Sequence, residues 1–272
     1  MFSKKVTINL EKKDDTIHLE PLSDIHIGHA GFDEKLYKSR VKAITNDNNR
    51  YTIFLGDQID AITTYDKRFN PDMSIEHDID NQRLKWDKLT FPLIEKHIDS
   101  MTSGKLRNQK IWGLLHGNHE YKIPSITRSY LENHFTTPNG ITFLGSRAMI
   151  GLEIKYKKEV LMQQTILAIH GSGGGKPERM FDQMKKNVYA DIFLCGHLHQ
   201  KRYTPEVAND FDFESGSRWE RDIHLINGGT FCHTLVDNAD GYMDRKNEVV
   251  YSHPGTATLS INAYGGKVNG HI

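Results

Sequence analysis

Cysteine is scarce in this chain. Cys195 and Cys232 are the only two among 272 residues, which excludes a disulfide framework and points to a reduced, cytoplasmic compartment. Charge of one sign is missing too: 35 Lys and Arg balance 35 Asp and Glu, so no global field advertises a nucleic-acid or membrane partner, although a local basic groove stays open. Long apolar runs are absent. The stretches "TILAI" and "DIFLC" are far too short to span a bilayer. The opening "MFSKKVTINLEKKDD" alternates apolar and polar residues without an apolar core, so neither a signal peptide nor a membrane partner is expected. Internal repeats, low-complexity tracts and Pro/Ser linkers are also lacking, and a single domain over residues 1–272 is expected. What remains is a globular composition, 37% hydrophobic and 26% charged, with one excess: 15 histidines.

Short apolar runs recur, each ending in Gly, Asp or His: "TIHLEPLSDIH", "YTIFLGD", "IWGLLHGNH", "TILAIHG", "DIFLCGHLH" and "IHLINGG". They are apolar on both alternating positions, as strands buried on two faces between helices must be. Amphipathic helices are expected near 33–49, 81–101, 124–135 and 177–188. "VTINL", "MIGLEIKYK" and "TATLSINAY" add strands, with hairpin-like turns at "KKDD" and "YGGK". The pattern predicts a layered α/β fold, two sheets face to face with helices outside.

The ends of those strands carry Asp24 and His26, Asp57 and Asp60, Asn118 and His119, His170, then His197 and His199. Carboxyl ends of parallel strands share a crevice, so residues distant in sequence can meet there. Carboxylate, imidazole and amide oxygen make a mixed N/O donor set suited to Mn, Fe or Zn rather than to a thiolate site. Singly, each piece is ordinary: Gly-Asp after a strand is a turn, and one strand-end histidine is a structural imidazole. "GHLH" is stronger, because alternate strand residues face one way.

The ordered blocks "SDIHIGH", "GDQID", "GNHE", "IHG" and "GHLH", followed by "NGGTF", resemble the signature blocks of the calcineurin-like metallophosphoesterases. That resemblance implies a four-layer αββα sandwich around two divalent ions: Mn first, with Zn, Fe or a mixed pair as alternatives. Carried over by position, Asp24, His26 and His199 resemble the ligands of one ion, and Asn118, His170 and His197 those of the other. Asp57 resembles the bridging carboxylate, His119 the histidine facing the substrate and Asp60 its partner. His116 matches no ligand position.

The implied activity is hydrolysis of phosphate esters. Two ions bring a shared water's pKa down from about 15.7 towards neutrality, and the hydroxide attacks phosphorus. His119 then protonates the leaving oxygen or holds the phosphate. His116 and "DAI" stand where the related protein phosphatases carry Arg and Asp-Arg-Gly, which disfavours a phosphoprotein substrate. "SDIHIGH" resembles the repair-type exonucleases, without their capping domain, and the C-terminal segment from "NGGTF" to "TATLSI" resembles phage-encoded phosphoesterases. A phage origin would place the chain in a host cytoplasm.

Two polar stretches near 61–90 and 200–222 are expected to shape specificity, offering Lys67, Arg68, Arg218 and Trp219. Aromatic and Arg side chains can stack bases and hold phosphates, so the reading leans to phosphodiesters of nucleic acid or nucleotides. The alternatives are a phosphomonoesterase on a small molecule and a non-catalytic scaffold or nucleic-acid-binding module; filled ligand positions argue against the last. "GSGGGKP" at 171–177 lacks P-loop spacing and reads as a loop beside His170, able to lend Ser172 or Lys176 to a substrate. Cys195 reads as a small buried residue.

Overall fold

The computed structural model describes residues 1–64, 66, 68–102, 108–123, 131–186, 188–236 and 253–272. Lys67, residues 124–130 of the expected third helix and residues 237–252 of the C-terminal segment lie outside the described residues.

Eleven strands are described: β1 (Phe2–Leu10), β2 (Thr16–Leu22), β3 (Arg50–Phe54), β4 (Ile111–Leu114), β5 (Arg147–Tyr156), β6 (Glu159–Ile169), β7 (Ile192–Cys195), β8 (Lys201–Phe211), β9 (Arg218–Gly228), β10 (Thr258–Asn262) and β11 (Lys267–His271). They form a six-stranded sheet in the order β1-β5-β6-β7-β9-β8 and a five-stranded sheet in the order β11-β10-β2-β3-β4. The helices are α1 (Glu34–Asn46), α2 (Ile79–Thr102), α3 (Leu131–Thr136) and α4 (Pro177–Lys185).

Alternation along each strand explains the layering. In β2 and β3, Ile17, Leu19, Tyr51 and Ile53 face Ile150, Leu152, Ile166 and Leu194 of the other sheet in one shared core. Residues one step out of phase, Leu22 and Phe54, pack instead against Tyr37, Val41 and Ile44 of α1 and Trp86, Leu89 and Leu93 of α2. On the far side Leu167, Phe193, Cys195 and Leu225 cover Met180, Phe181 and Met184 of α4. The result is helices, sheet, sheet, helix: an αββα sandwich in which β3 and β7 are buried on both faces.

Local chemistry agrees with the layers. Asp33 caps α1, its side chain accepting from the Leu36 N–H, and Tyr37, Val41 and Ile44 repeat at helical spacing on its buried face. Pro177 opens α4, where its missing N–H costs nothing. Between β3 and β4 the register shifts, so that Thr52 pairs with Ile111 and Phe54 with Leu114. This extra residue puts both Ile111 and Leu114 on the helix-facing side.

One expectation needs correcting. "KKDD" is a turn but closes no hairpin, because β1 pairs parallel with β5 along its whole length while β2 belongs to the other sheet; "YGGK" does close the β10–β11 hairpin. The polar stretch from 200 to 222 is mostly strand: β8 and β9 pair from Lys201↔Gly228 to Phe211↔Arg218. The stretch from 61 to 90 enters α2 at Ile79, close to the helix expected from 81. No helix among the described residues is long and apolar enough to cross a membrane.

Candidate metal centre

Parallel strands from both sheets deliver the polar side chains. β2 runs into Asp24 and His26, β3 into Asp57 and Asp60, β4 into Asn118 and His119, β6 into His170, and β7 into His197 and His199. Eight of these nine fall in three groups, Asp24, His26 and His199; His26, Asp60 and His119; and Asp57, His170 and His197, and Asn118 joins the last through its Oδ1, 3.0 Å from His170 Nε2. In each group one ligand-type atom per residue lies within 4.8 Å of the others.

The backbone is strained where these side chains turn inward. Seven non-glycine residues have positive φ among those described, and five are Asp24, His26, Asp57, His197 and His199, at 50°, 52°, 54°, 70° and 56°. Left-handed backbone costs a non-glycine residue roughly 1–3 kcal/mol. Five such residues therefore tax the fold by at least about 5 kcal/mol, comparable with the whole stability of many domains. Of the seven, only Ala61 and Lys157 lie outside the candidate ligands, and packing does not call for strain at the other five. Aiming side chains into one space does.

The atoms left over after internal bonding are the ones a cation would need. Asp24 Oδ2 accepts from the His197 N–H at 2.8 Å and from the Ser23 hydroxyl, whereas Oδ1 is buried without a hydrogen-bond partner. Asp57 Oδ1 accepts from the His119 N–H at 2.9 Å, leaving Oδ2 3.2 Å from His170 Nε2 and 3.8 Å from His26 Nε2. His170 Nδ1–H donates to the Leu55 carbonyl at 2.8 Å, and His197 Nε2–H to the Gly173 carbonyl at 2.7 Å. A backbone acceptor on one ring nitrogen fixes the tautomer and turns the other towards a metal. The 171–176 loop thus positions His197, while Ser172 and Lys176 on it are exposed.

Separations fit an ion. Donor atoms about 2.1 Å from a shared ion stand about 3.0 Å apart at right angles and about 3.4 Å at the tetrahedral angle. His26 Nε2 and His199 Nε2 are 3.1 Å apart, His199 Nε2 and Asp24 Oδ1 3.2 Å, and His170 Nε2 and Asn118 Oδ1 3.0 Å. Asp57 Oδ2 lies between the two sets. The electrostatics agree. Burial alone would raise the Asp24 carboxyl, but His199 beside it brings it down to about 2. Burial opposes a charge on His170, yet Asp57 and then Asp24 lift it to about 10. The carboxylates create a buried field that asks for positive charge, and the mixed N/O set suits first-row ions.

Glu120 is the residue that sequence reasoning passed over. It is fully buried, and its carboxylate collects the backbone N–H groups of Asp57, Gln58, Ile59 and Gly117 at 3.1, 2.5, 3.3 and 3.0 Å. Burial, then the charge of Asp57, push its carboxyl up to about 8, with the backbone donors pulling the other way. Its effect is to tie the Asp57 loop to the Asn118 loop. Gly117 is needed between them, since a Cβ there would lie 1.8 Å from Asp57 Oδ1. His29 also borders the groups, 6.3 Å from His26 between ring centroids, with its Nδ1 accepting from the Gly31 N–H. Its place in "SDIHIGH" was visible; its proximity was not.

His119 faces Asp60 at two atoms. Its Nδ1–H donates to the backbone carbonyl of Asp60 at 2.5 Å, while the Asp60 carboxylate stands off at 3.6 Å. Burial lowers the imidazole to about 4, against the opposing charges of Asp57 and Asp60. Its Nε2 accepts from Arg68 Nη1 at 2.9 Å. Arg68 is in turn held by Asp66, through Nε at 3.1 Å and Nη2 at 2.9 Å. Of the expected substrate contacts, the structure therefore brings Arg68 to the centre.

Arg218 and Trp219 are elsewhere. They pair with Phe211 and Asp210 at the far end of the β8–β9 hairpin, about 30 Å of strand from its base beside His199. His116 packs against Tyr121 and Phe143, with ring centroids 5.3 and 5.7 Å away. Cys195 is buried in the α4-facing core, where burial pushes its thiol up, so it offers no thiolate ligand.

No family model matches the chain, and no curated protein does either. Among solved structures, the chain is similar to a Thermotoga maritima protein determined by NMR in solution, at 14% identity and a TM-score of 0.35, covering 94% of this chain and 97% of that one. It is also similar to a metallophosphoesterase from Sphaerobacter thermophilus, at 12% identity and a TM-score of 0.39, covering 94% of this chain and 88% of that one. Likenesses this distant carry no argument about function.

Proposed function

We propose that the chain is a metal-dependent phosphoesterase of the calcineurin-like superfamily, with Asp24, His26 and His199 around one divalent ion, Asn118, His170 and His197 around a second, and Asp57 shared. The observation that carries this reading is the convergence of these seven side chains, five of them on left-handed backbone. When bound, such a pair of ions supplies an activated water and neutralises charge on the phosphoryl oxygens.

The chain's own residues would do the rest. Arg68 is a guanidinium fork poised by Asp66, suited to two oxygens of a phosphate. In the absence of substrate it occupies His119 Nε2. An incoming phosphate would draw Arg68 away and leave Nε2 facing the ester. Because Nδ1–H stays anchored on the Asp60 carbonyl, Nε2 keeps its aim. To protonate the leaving oxygen the ring must first gain a proton there, and such transfer typically contributes 10²–10⁴-fold.

Phosphodiesters of nucleic acid or nucleotides are the proposed substrates, now without support from Arg218 or Trp219, and Mn is the proposed metal in a cytoplasmic setting. The test is hydrolysis of bis-p-nitrophenyl phosphate and of the monoester by metal-free protein supplied with Mn²⁺. Turnover that EDTA abolishes, greater on the diester and lost in Asp57→Asn, is expected. No Mn²⁺-dependent cleavage of either ester would overturn the reading; preference for the monoester would overturn only the diester assignment.

A further inference from the structure

Resting on this metal-centre reading, we infer that Asp60 is the carboxylate that holds His26 in its ligand orientation, rather than the partner of His119. His119 does not need it, since its Nδ1–H already has the Asp60 backbone carbonyl at 2.5 Å. His26 does. Its Nδ1 is buried with no hydrogen-bond partner, and so is Asp60 Oδ1. These two atoms face each other 3.5 Å apart; the same oxygen is 3.6 Å from His119 Nδ1, but that nitrogen already has its acceptor.

The other ring nitrogen of His26 points into the metal-ligand cluster, with Nε2 3.1 Å from His199 Nε2 and 3.9 Å from Asp24 Oδ1. A neutral imidazole has one proton to place. If it sits on Nδ1, facing Asp60, the Nε2 lone pair is free for an ion, and the carboxylate both sets the ring's angle and raises its basicity. The backbone reinforces this pairing: the Asp60 N–H donates to the Ile27 carbonyl at 2.9 Å, and Ile27 bridges Ile59 in parallel. The two loops are thereby laced together on either side of the contact. Asp60 is a positioning residue, acting on one ion through His26.

Isothermal titration of metal-free protein with Mn²⁺ separates the possibilities. Wild type should take up two ions. Asp60→Asn should weaken one of them by about 10–100-fold, leave the other as it was, and regain turnover of bis-p-nitrophenyl phosphate as Mn²⁺ is raised. Two sites of wild-type affinity in Asp60→Asn, with turnover low at every Mn²⁺ concentration, would overturn the inference and return Asp60 to His119. A wild type that binds no Mn²⁺ would overturn the metal-centre reading itself, and this inference with it. Should Asp60→Asn fail to fold, ¹⁵N-histidine NMR of wild type decides: a protonated Nδ1 on His26 supports the assignment, and a bare Nδ1 contradicts it.

Discussion

At the scale of single residues, the sequence shows which polar side chains end the strands but not how they are held. Asp24, Asp57 and the histidines could be read from their places after apolar runs. The left-handed backbone that turns five of them inward has no signature of its own, since Asp and His tolerate that conformation without requiring it. Glu120 was equally hidden: an acid following Asn-His looks exposed until four backbone N–H groups are found around it. His119 Nδ1 meets Asp60 most closely through that residue's own carbonyl, an atom no side-chain pattern reports. Arg68 gives the prediction at this scale. Arg68→Ala should raise KM for bis-p-nitrophenyl phosphate about 10-fold or more, consistent with a charge-assisted hydrogen bond worth about 1.5–3 kcal/mol. Its Mn²⁺ affinity should be unchanged by titration, and Arg68→Lys should recover only part of the loss. An unchanged KM would remove Arg68 from the substrate site.

At the scale of elements, hydrophobic period found most of the strands, because ladders buried on both faces leave continuous apolar runs. It failed where burial is one-sided or absent. Lys201 to Phe211 alternates half-buried and exposed residues, rich in charge, and so shows no apolar run although it is an edge strand of the six-stranded sheet. Read as a polar stretch, it gave no sign of how far Arg218 and Trp219 lie along the hairpin. Since the ladder carries them about 30 Å away, Trp219→Ala and Arg218→Ala should leave kcat/KM for bis-p-nitrophenyl phosphate within about 2-fold of wild type. A fall of 10-fold or more in either variant would show that the hairpin reaches the ester.

For the molecule as a whole, the two sheets were foreseeable from strands apolar on both sides, whereas which strand joins which sheet was not. The β1–β2 turn looks like a hairpin, yet pairing along all of β1 with β5 outweighs it, a long-range choice no local pattern encodes. The assembled sandwich places buried carboxylates from one sheet against imidazoles from the other, so a cation would hold the sheets together at that end. The central claim is that pair of ions around a shared Asp57. Crystals grown with Mn²⁺ and measured at the manganese absorption edge test it directly. Two anomalous peaks about 3.5–4 Å apart, flanking Asp57 Oδ2 and reached by Asp24, His26 and His199 on one side and Asn118, His170 and His197 on the other, are the predicted result. An edge scan showing manganese in the crystal but no peak among these side chains would contradict the account.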